Sequence, residues 1–142
     1  MRYRTSLNGS TRRMVCCMVA RYDEFVKYLA EQREEILHGS PAPTEKVQSK
    51  SGDTTESKAE RLAALDCCWK ARAVRVMDEA KHLMAVDIEN EVIRKRIVKA
   101  IWDSCIAPRS HPYRSNLCIS RRDFFRRRNE FLVEIASNMD MK

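Results

Sequence analysis

Between Ser10 and His38, and again between Asp53 and Ala107, the chain contains neither glycine nor proline. Its 3 glycines and 4 prolines all fall outside those two stretches. An all-β sandwich needs turns at roughly 8–12-residue spacing, most of them carrying such residues. Within the stretches, apolar positions recur at helical intervals. Met14, Met18, Phe25, Leu29 and Ile36 are spaced by four and seven. Leu62, Leu65, Cys68/Trp69, Arg72/Ala73, Val76 and Ala80 follow the same period. The expected fold is all-α. Hydrophobic residues at 44% and charged residues at 33% suit a folded helical protein rather than a disordered one.

The punctuation predicts the organisation. Residues 1–37 comprise a basic start and an amphipathic helix from about Arg12 to Leu37, ended by His38-Gly39, Pro41 and Pro43. Residues 38–57, rich in Ser, Thr and Lys, read as a flexible linker, because they have too little apolar surface to offset ordering. Residues 58–142 form a helical domain. Its first helix is capped near Asp53-Thr54-Thr55, with Glu56 completing a capping box, and runs to about Ala85. Asp87 is the expected cap of the next helix, which carries Ile88, Val92, Ile93, Ile97, Ala100 and Ile101 and stops before Pro108. A short helix headed by Pro112 and reaching Leu117, the connection Cys118-Ile119, and a final helix capped by Ser120 outline a helix-turn-helix over about residues 108–139.

Charge is distributed unevenly. The chain carries +7 overall, but Arg94 to Arg128 holds eleven basic residues against Asp103 and Asp123, leaving the remainder at −2. A basic surface beside a near-neutral body is the footprint of a polyanionic partner. The six cysteines, as Cys16-Cys17, Cys67-Cys68, Cys105 and Cys118, include no Cys-x-x-Cys spacing. They read as reduced thiols of a cytoplasmic protein rather than as a disulfide framework or zinc site. No apolar run approaches the ~20 residues of a membrane span. The short apolar segment from Met14 to Ala20 fits an amphipathic helix better than a signal peptide.

The final helix carries the functional reading. At 100° per residue, Phe124, Phe125, Phe131, Leu132, Ile135 and Met139 gather on one side. Arg122, Arg126, Asn129 and Val133 gather on the other, with Arg127 on a flank. Such a helix suits the major groove, where Arg forks onto guanine and Asn pairs with adenine. Arg121 and the helix N-terminus suit a backbone phosphate. The candidate DNA contacts are Arg121, Arg122, Arg126, Arg127 and Asn129, with Arg114 from the preceding helix. A solvated charged face is the plainer alternative, since Glu130 lies within pairing reach of Arg126 and Arg127. Arg128 falls amid the aromatic side and is expected to be structural, snorkelling to solvent or finding a carboxylate or carbonyl cluster.

The run Ile119-Ser120-Arg121-Arg122-Asp123-Phe124-Phe125-Arg126-Arg127-Arg128-Asn129-Glu130-Phe131-Leu132, followed by Ile135-Ala136, resembles the end of the ArpU/RinA-type phage transcriptional regulators. That family's end is similar to the promoter-reading helix-turn-helix of bacterial sigma factors. The resemblance implies a regulator of late phage or prophage genes in the bacterial host, with double-stranded DNA as partner and RNA polymerase as a candidate second partner. A phage DNA-packaging or assembly protein of the small-terminase kind, oligomerising through residues 57–106, is the alternative; a bundle whose arginines meet an acidic protein is a third. No motif points to an enzyme, a cofactor or a metal. His38, His82 and His111 are scattered, and Trp69 and Trp102 lie on helical apolar faces expected in the core.

Overall fold

A computed structural model of the chain describes residues 7–38, 55–107, 113 and 115–141. The fold is all-α. Its elements are α1 (Gly9–Ala20), α2 (Tyr22–His38), α3 (Thr55–Asp66), α4 (Trp69–Leu83), α5 (Glu91–Ile106), one turn of 3-10 helix (Ser115–Leu117) and α6 (Arg121–Asn138). Among the described residues no helix is long and apolar enough to cross a membrane. The expected linker falls mostly on residues 39–54, and with it the caps Asp53 and Thr54, which lie outside the described residues.

The first expected helix is two helices. Asn8 caps α1 by accepting the Thr11 N–H at 2.9 Å. At the other end the Arg21 N–H is shared among the carbonyls of Cys17, Met18 and Val19, closing the helix. Tyr22 begins α2, and Asp23 and Glu24 follow in its first turn, where the helix dipole favours negative charge. No glycine or proline marks this break. It coincides with a tertiary anchor instead: the Tyr22 hydroxyl donates to Asp78 Oδ1 at 2.6 Å, and its ring meets Trp102 edge-on at 5.2 Å. The second expected helix also divides, into α3 and α4, at a turn through Cys67 and Cys68. α5 starts later than expected. Its cap is Asn90, whose side chain accepts from the N–H groups of Val92 and Ile93 at 3.0 and 3.1 Å. Asp87, expected in that role, has a different use described below.

The chain forms two compact units, drawn from residues 1–22 with 75–142 and from residues 23–74. In the first, α1 packs on α5 and α6, and α5 packs on α6 and the 3-10 turn. Its core contains Val15 and Val19 of α1, Met77 of α4, Ile97 and Ile101 of α5, and Phe124, Phe131, Leu132 and Ile135 of α6, all essentially inaccessible. Burial of each large side chain stabilises the fold by about 1.5–3 kcal/mol. Met14 was expected on the buried face of a single long helix. It is exposed, because the break at Arg21 leaves Thr11, Val15, Met18 and Val19 as the inward face of α1.

The second unit is smaller. Leu29 and Ile36 of α2, Leu65 of α3 and Ala71 at the start of α4 form its core, flanked by Leu62, Cys68 and Val74. Arg33 pairs with Asp66 at 3.1 Å, and the Lys58 ammonium donates to the Leu37 carbonyl at 3.3 Å. Trp69 is not a core residue: it is 53% exposed, with one edge against Phe25 at 5.7 Å between centroids.

Cys118 joins the 3-10 turn to α6 in the left-handed region, at φ 65°. A side chain with a Cβ costs about 1–2 kcal/mol there, and glycine almost nothing. Cys118→Gly is therefore expected to stabilise the protein by about 0.5–1 kcal/mol, after allowing for the extra freedom of glycine in the unfolded chain. Urea denaturation monitored by circular dichroism checks this; a loss of stability would mean that the Cys118 side chain makes a contact worth more than the strain.

Candidate nucleic-acid interface

The site is built on α6. Its first residue, Arg121, follows Ser120, whose Oγ accepts the Asp123 N–H at 3.0 Å, so the expected N-cap is in place. The reciprocal half of the capping box is not formed, because the Asp123 carboxylate turns to Arg126 and Arg127. Phe124, Phe131, Leu132, Ile135 and Ala136 anchor the helix in the core, Met139 is buried just beyond it, and Phe125 is half-buried.

Arg127 departs most from the expected interface. It is 5% exposed. Its Nη1 and Nη2 donate to Oδ1 and Oδ2 of Asp87, both at 2.8 Å, in a two-pronged pair. Nη1 also donates to the Met84 carbonyl at 3.0 Å, and Nε to Asp123 Oδ2 at 3.1 Å. The planar guanidinium matches this set of acceptors as an ammonium would not. The hydrogen bonds from Arg127 hold the Asp87 carboxyl at about 2, below the usual carboxylate range. The Arg127 guanidinium is correspondingly raised, chiefly by Asp87. Desolvation works against ionisation of Asp123, but hydrogen bonds from Arg126 and Arg127 outweigh it and its pKa is lowered. Arg127 thus clamps α6 to the segment after α4, which removes it from the exposed arginine face.

The remaining candidates separate by exposure. Arg126 is half-exposed and lies between Asp123 and Glu130, the latter pair at 3.1 Å. Its pKa is raised, first by the hydrogen bond to Asp123. Exposed pairs of this kind are worth roughly 0.2–1 kcal/mol, so Arg126 is held only weakly. Asn129 is half-buried and its Oδ1 accepts from Arg12 Nη2 of α1 at 3.3 Å. Arg126, Asn129, Glu130, Val133 and Glu134 front a groove of about 400 Å³ whose far side is Ala80, Leu83 and Met84. The outer face of α6 therefore looks partly toward α4 rather than wholly to solvent. Arg128 is half-buried and donates from Nε to Ser104 Oγ at 3.0 Å; that hydroxyl donates in turn to the Ile101 carbonyl at 2.7 Å.

Arg121 and Arg122 are exposed. Arg121 lies 6.0 Å from the Phe125 ring centroid, and Arg122 has no hydrogen-bond or ion-pair partner among the described residues. Arg114 lies outside the described residues, as does Pro112, the head of the short helix expected to reach Leu117. Its described end is the 3-10 turn, held to the start of α6 by Tyr113, which donates to the Ile119 carbonyl at 2.6 Å and packs on Phe124 at 5.8 Å.

The basic residues of α5 are largely engaged. Arg94 donates twice to the Ile88 carbonyl, at 3.0 and 2.8 Å, Lys95 pairs with Glu91 at 3.4 Å, and Lys99 with Asp103 at 2.9 Å. With Lys81, whose ammonium sits over the Trp102 ring at 4.5 Å, they border a groove of about 530 Å³ between α4 and α5. Sequence reasoning missed three partners: Arg12, Asp87 and Lys81. Arg12 lies 117 residues from Asn129 and Asp87 lies 40 from Arg127, so no local spacing signals either pair.

Comparison of the chain with known protein families, with characterised proteins and with solved structures finds no match.

Proposed function

We propose that the chain is a DNA-binding regulator of transcription that engages double-stranded DNA with the N-terminal turns of α6. The observation that carries this reading is the exposed pair Arg121 and Arg122 at the start of a helix whose opposite face is locked into the core. A groove-reading helix needs such a rigid base, a free N-terminus and guanidinium groups ahead of it. Arg126, one turn on, joins them once its exposed pairs with Asp123 and Glu130 open, at a cost of about 1 kcal/mol. Arg127 takes no part in the contact and Asn129 is at most a peripheral member. The likeness of residues 119–136 to the ArpU/RinA-type regulators supports phage or prophage promoters as the target.

The test is binding of purified protein to labelled DNA from upstream of its own gene neighbourhood across a salt series, with random DNA as control. Preference for the neighbourhood DNA, with log affinity falling against log salt at a slope of roughly −4 to −6, is the expected result. No binding at low salt would overturn it and leave an acidic protein as the partner of the arginines.

A second reading, the assembly protein, is favoured by a separate observation: Leu83, Val86 and Val92, around the α4–α5 connection, are 48%, 55% and 58% exposed. Exposed apolar side chains gathered in one region mark interaction surfaces. A defined ring of subunits in solution, with equal affinity for all DNA, would select that reading over the regulator.

A further inference from the structure

The groove of about 530 Å³ between α4 and α5 is lined by Lys81 from the first helix and by Arg94, Lys95 and Lys99 from the second. Asp78 and Asp103 line it too, so lysine and arginine outnumber carboxylates there by four to two. Two of the cations are held by neutral groups. The Lys81 ammonium sits 4.5 Å from the Trp102 ring centroid and 5.9 Å from that of Tyr22. Arg94 donates from Nε and Nη2 to the Ile88 carbonyl at 3.0 and 2.8 Å, and from Nη2 to the Glu89 carbonyl at 3.5 Å. Neither charge is cancelled by an ion pair among the described residues. Lys95 and Lys99 are paired, with Glu91 at 3.4 Å and Asp103 at 2.9 Å, but their side chains are 75% and 76% exposed. Pairs so exposed are weak and exchange with ions from solution. Asp78 is engaged through Oδ1, which accepts the Tyr22 hydroxyl at 2.6 Å.

We propose that this groove holds a stretch of nucleic-acid phosphate backbone, as a second contact separate from the N-terminal turns of α6. The proposal rests on nucleic acid being the partner, though not on α6 reaching it. Lys95 and Lys99 stand one helical turn apart, about 6 Å along the axis, and Lys81 comes from the facing helix. Cations spread in this way suit a chain of regularly spaced charges better than one small anion. A cleft with cations on both walls also focuses their field on whatever lies within it. Phosphates are favoured over the carboxylates of an acidic protein by what already occupies the groove. A visiting carboxylate replaces Glu91 or Asp103 like for like and gains little. A phosphate chain also releases its condensed counterions, an entropy gain that the intramolecular carboxylates do not offer. Such a contact reads no bases; it fixes how the protein sits on the strand.

Two measurements on the full chain test it. The first is fluorescence anisotropy with a labelled random duplex across a salt series, for the parent, for Lys95→Gln/Lys99→Gln and for Arg121→Ala/Arg122→Ala. The groove variant is expected to bind roughly 10-fold more weakly at physiological salt, with a salt slope shallower by about 2 and the same loss on neighbourhood DNA. Its unfolding should match the parent's, because both lysines are exposed. The second measurement uses Trp102 as reporter: the chain has two tryptophans, so Trp69→Phe leaves Trp102 alone. Saturation with duplex is expected to change Trp102 emission as the Lys81 ammonium leaves the ring for a phosphate. That change should survive Arg121→Ala/Arg122→Ala and shrink in Lys95→Gln/Lys99→Gln. Loss of affinity in the groove variant alone would support the groove and refute the α6 contact. Parental affinity and slope in the groove variant would overturn the groove and leave the α6 contact standing. Unchanged Trp102 emission at saturation would overturn it as well. Polyglutamate that reproduces the Trp102 change and competes with duplex at equal charge would assign the groove to an acidic protein instead. No binding by the parent at low salt would overturn both contacts.

Discussion

Arg127→Ala is expected to lower the free energy of unfolding by about 2–4 kcal/mol, more than any surface substitution on the same helix. The change deletes a guanidinium that serves Asp87, Asp123 and the Met84 carbonyl at once. Asp87 is well exposed and regains water, which keeps the loss below that of a wholly buried pair. The Met84 carbonyl and the half-buried Asp123 have less recourse. The acid limb of stability should change with it. The folded-state pKa values of Asp87 and Asp123 are depressed, so their contribution is complete above the unfolded carboxylate value of about 4. It is lost as pH falls through the folded value, about 2 for Asp87. Urea unfolding between pH 2 and 7 should therefore show stability falling below pH ~4 in the parent chain and a flatter acid limb in Arg127→Ala. An unaltered limb, or a loss under about 1 kcal/mol, would mean that the clamp contributes little.

Neutralising the exposed pair is the corresponding functional prediction. Arg121→Ala/Arg122→Ala is expected to weaken DNA binding roughly 10- to 100-fold at physiological salt and to make the salt slope shallower by about 2. Stability should change by no more than about 0.5 kcal/mol, because neither side chain is buried. Arg122→Lys distinguishes the two kinds of contact. A phosphate contact survives the change, while a guanine fork is lost with it and costs about 1–3 kcal/mol of discrimination. Fluorescence anisotropy with matched and random duplexes reads both effects. If the double variant binds as the parent does, α6 is not the DNA-contacting element, and the reading of the whole site fails with it.

The long stretches free of glycine and proline, with apolar residues at helical intervals, determined the all-α fold. Ser120, three residues ahead of Asp123, determined the start of α6, because an N-cap acts within one turn of chain. The buried side of α6 was legible for the same reason: Phe124, Phe131, Leu132 and Ile135 recur at the helix period. The breaks at Arg21 and at Cys67-Cys68 were not legible. Helix interruption without glycine or proline is decided by what the flanking residues pack against, as Tyr22 does on Trp102 and Asp78.

The same distinction runs through the site. Periodicity sorted α6 into an apolar and a basic side, but it treats every arginine on the basic side alike. Only the tertiary structure decided that Arg127 is a buried clamp, that Asn129 is held by Arg12, and that Arg121 and Arg122 stand free of the core. The physical reason is range. Helix period and capping act between residues up to about four apart, and the sequence displays them. The pairing of Arg127 with Asp87 depends on which elements pack together, and no spacing along the chain records that.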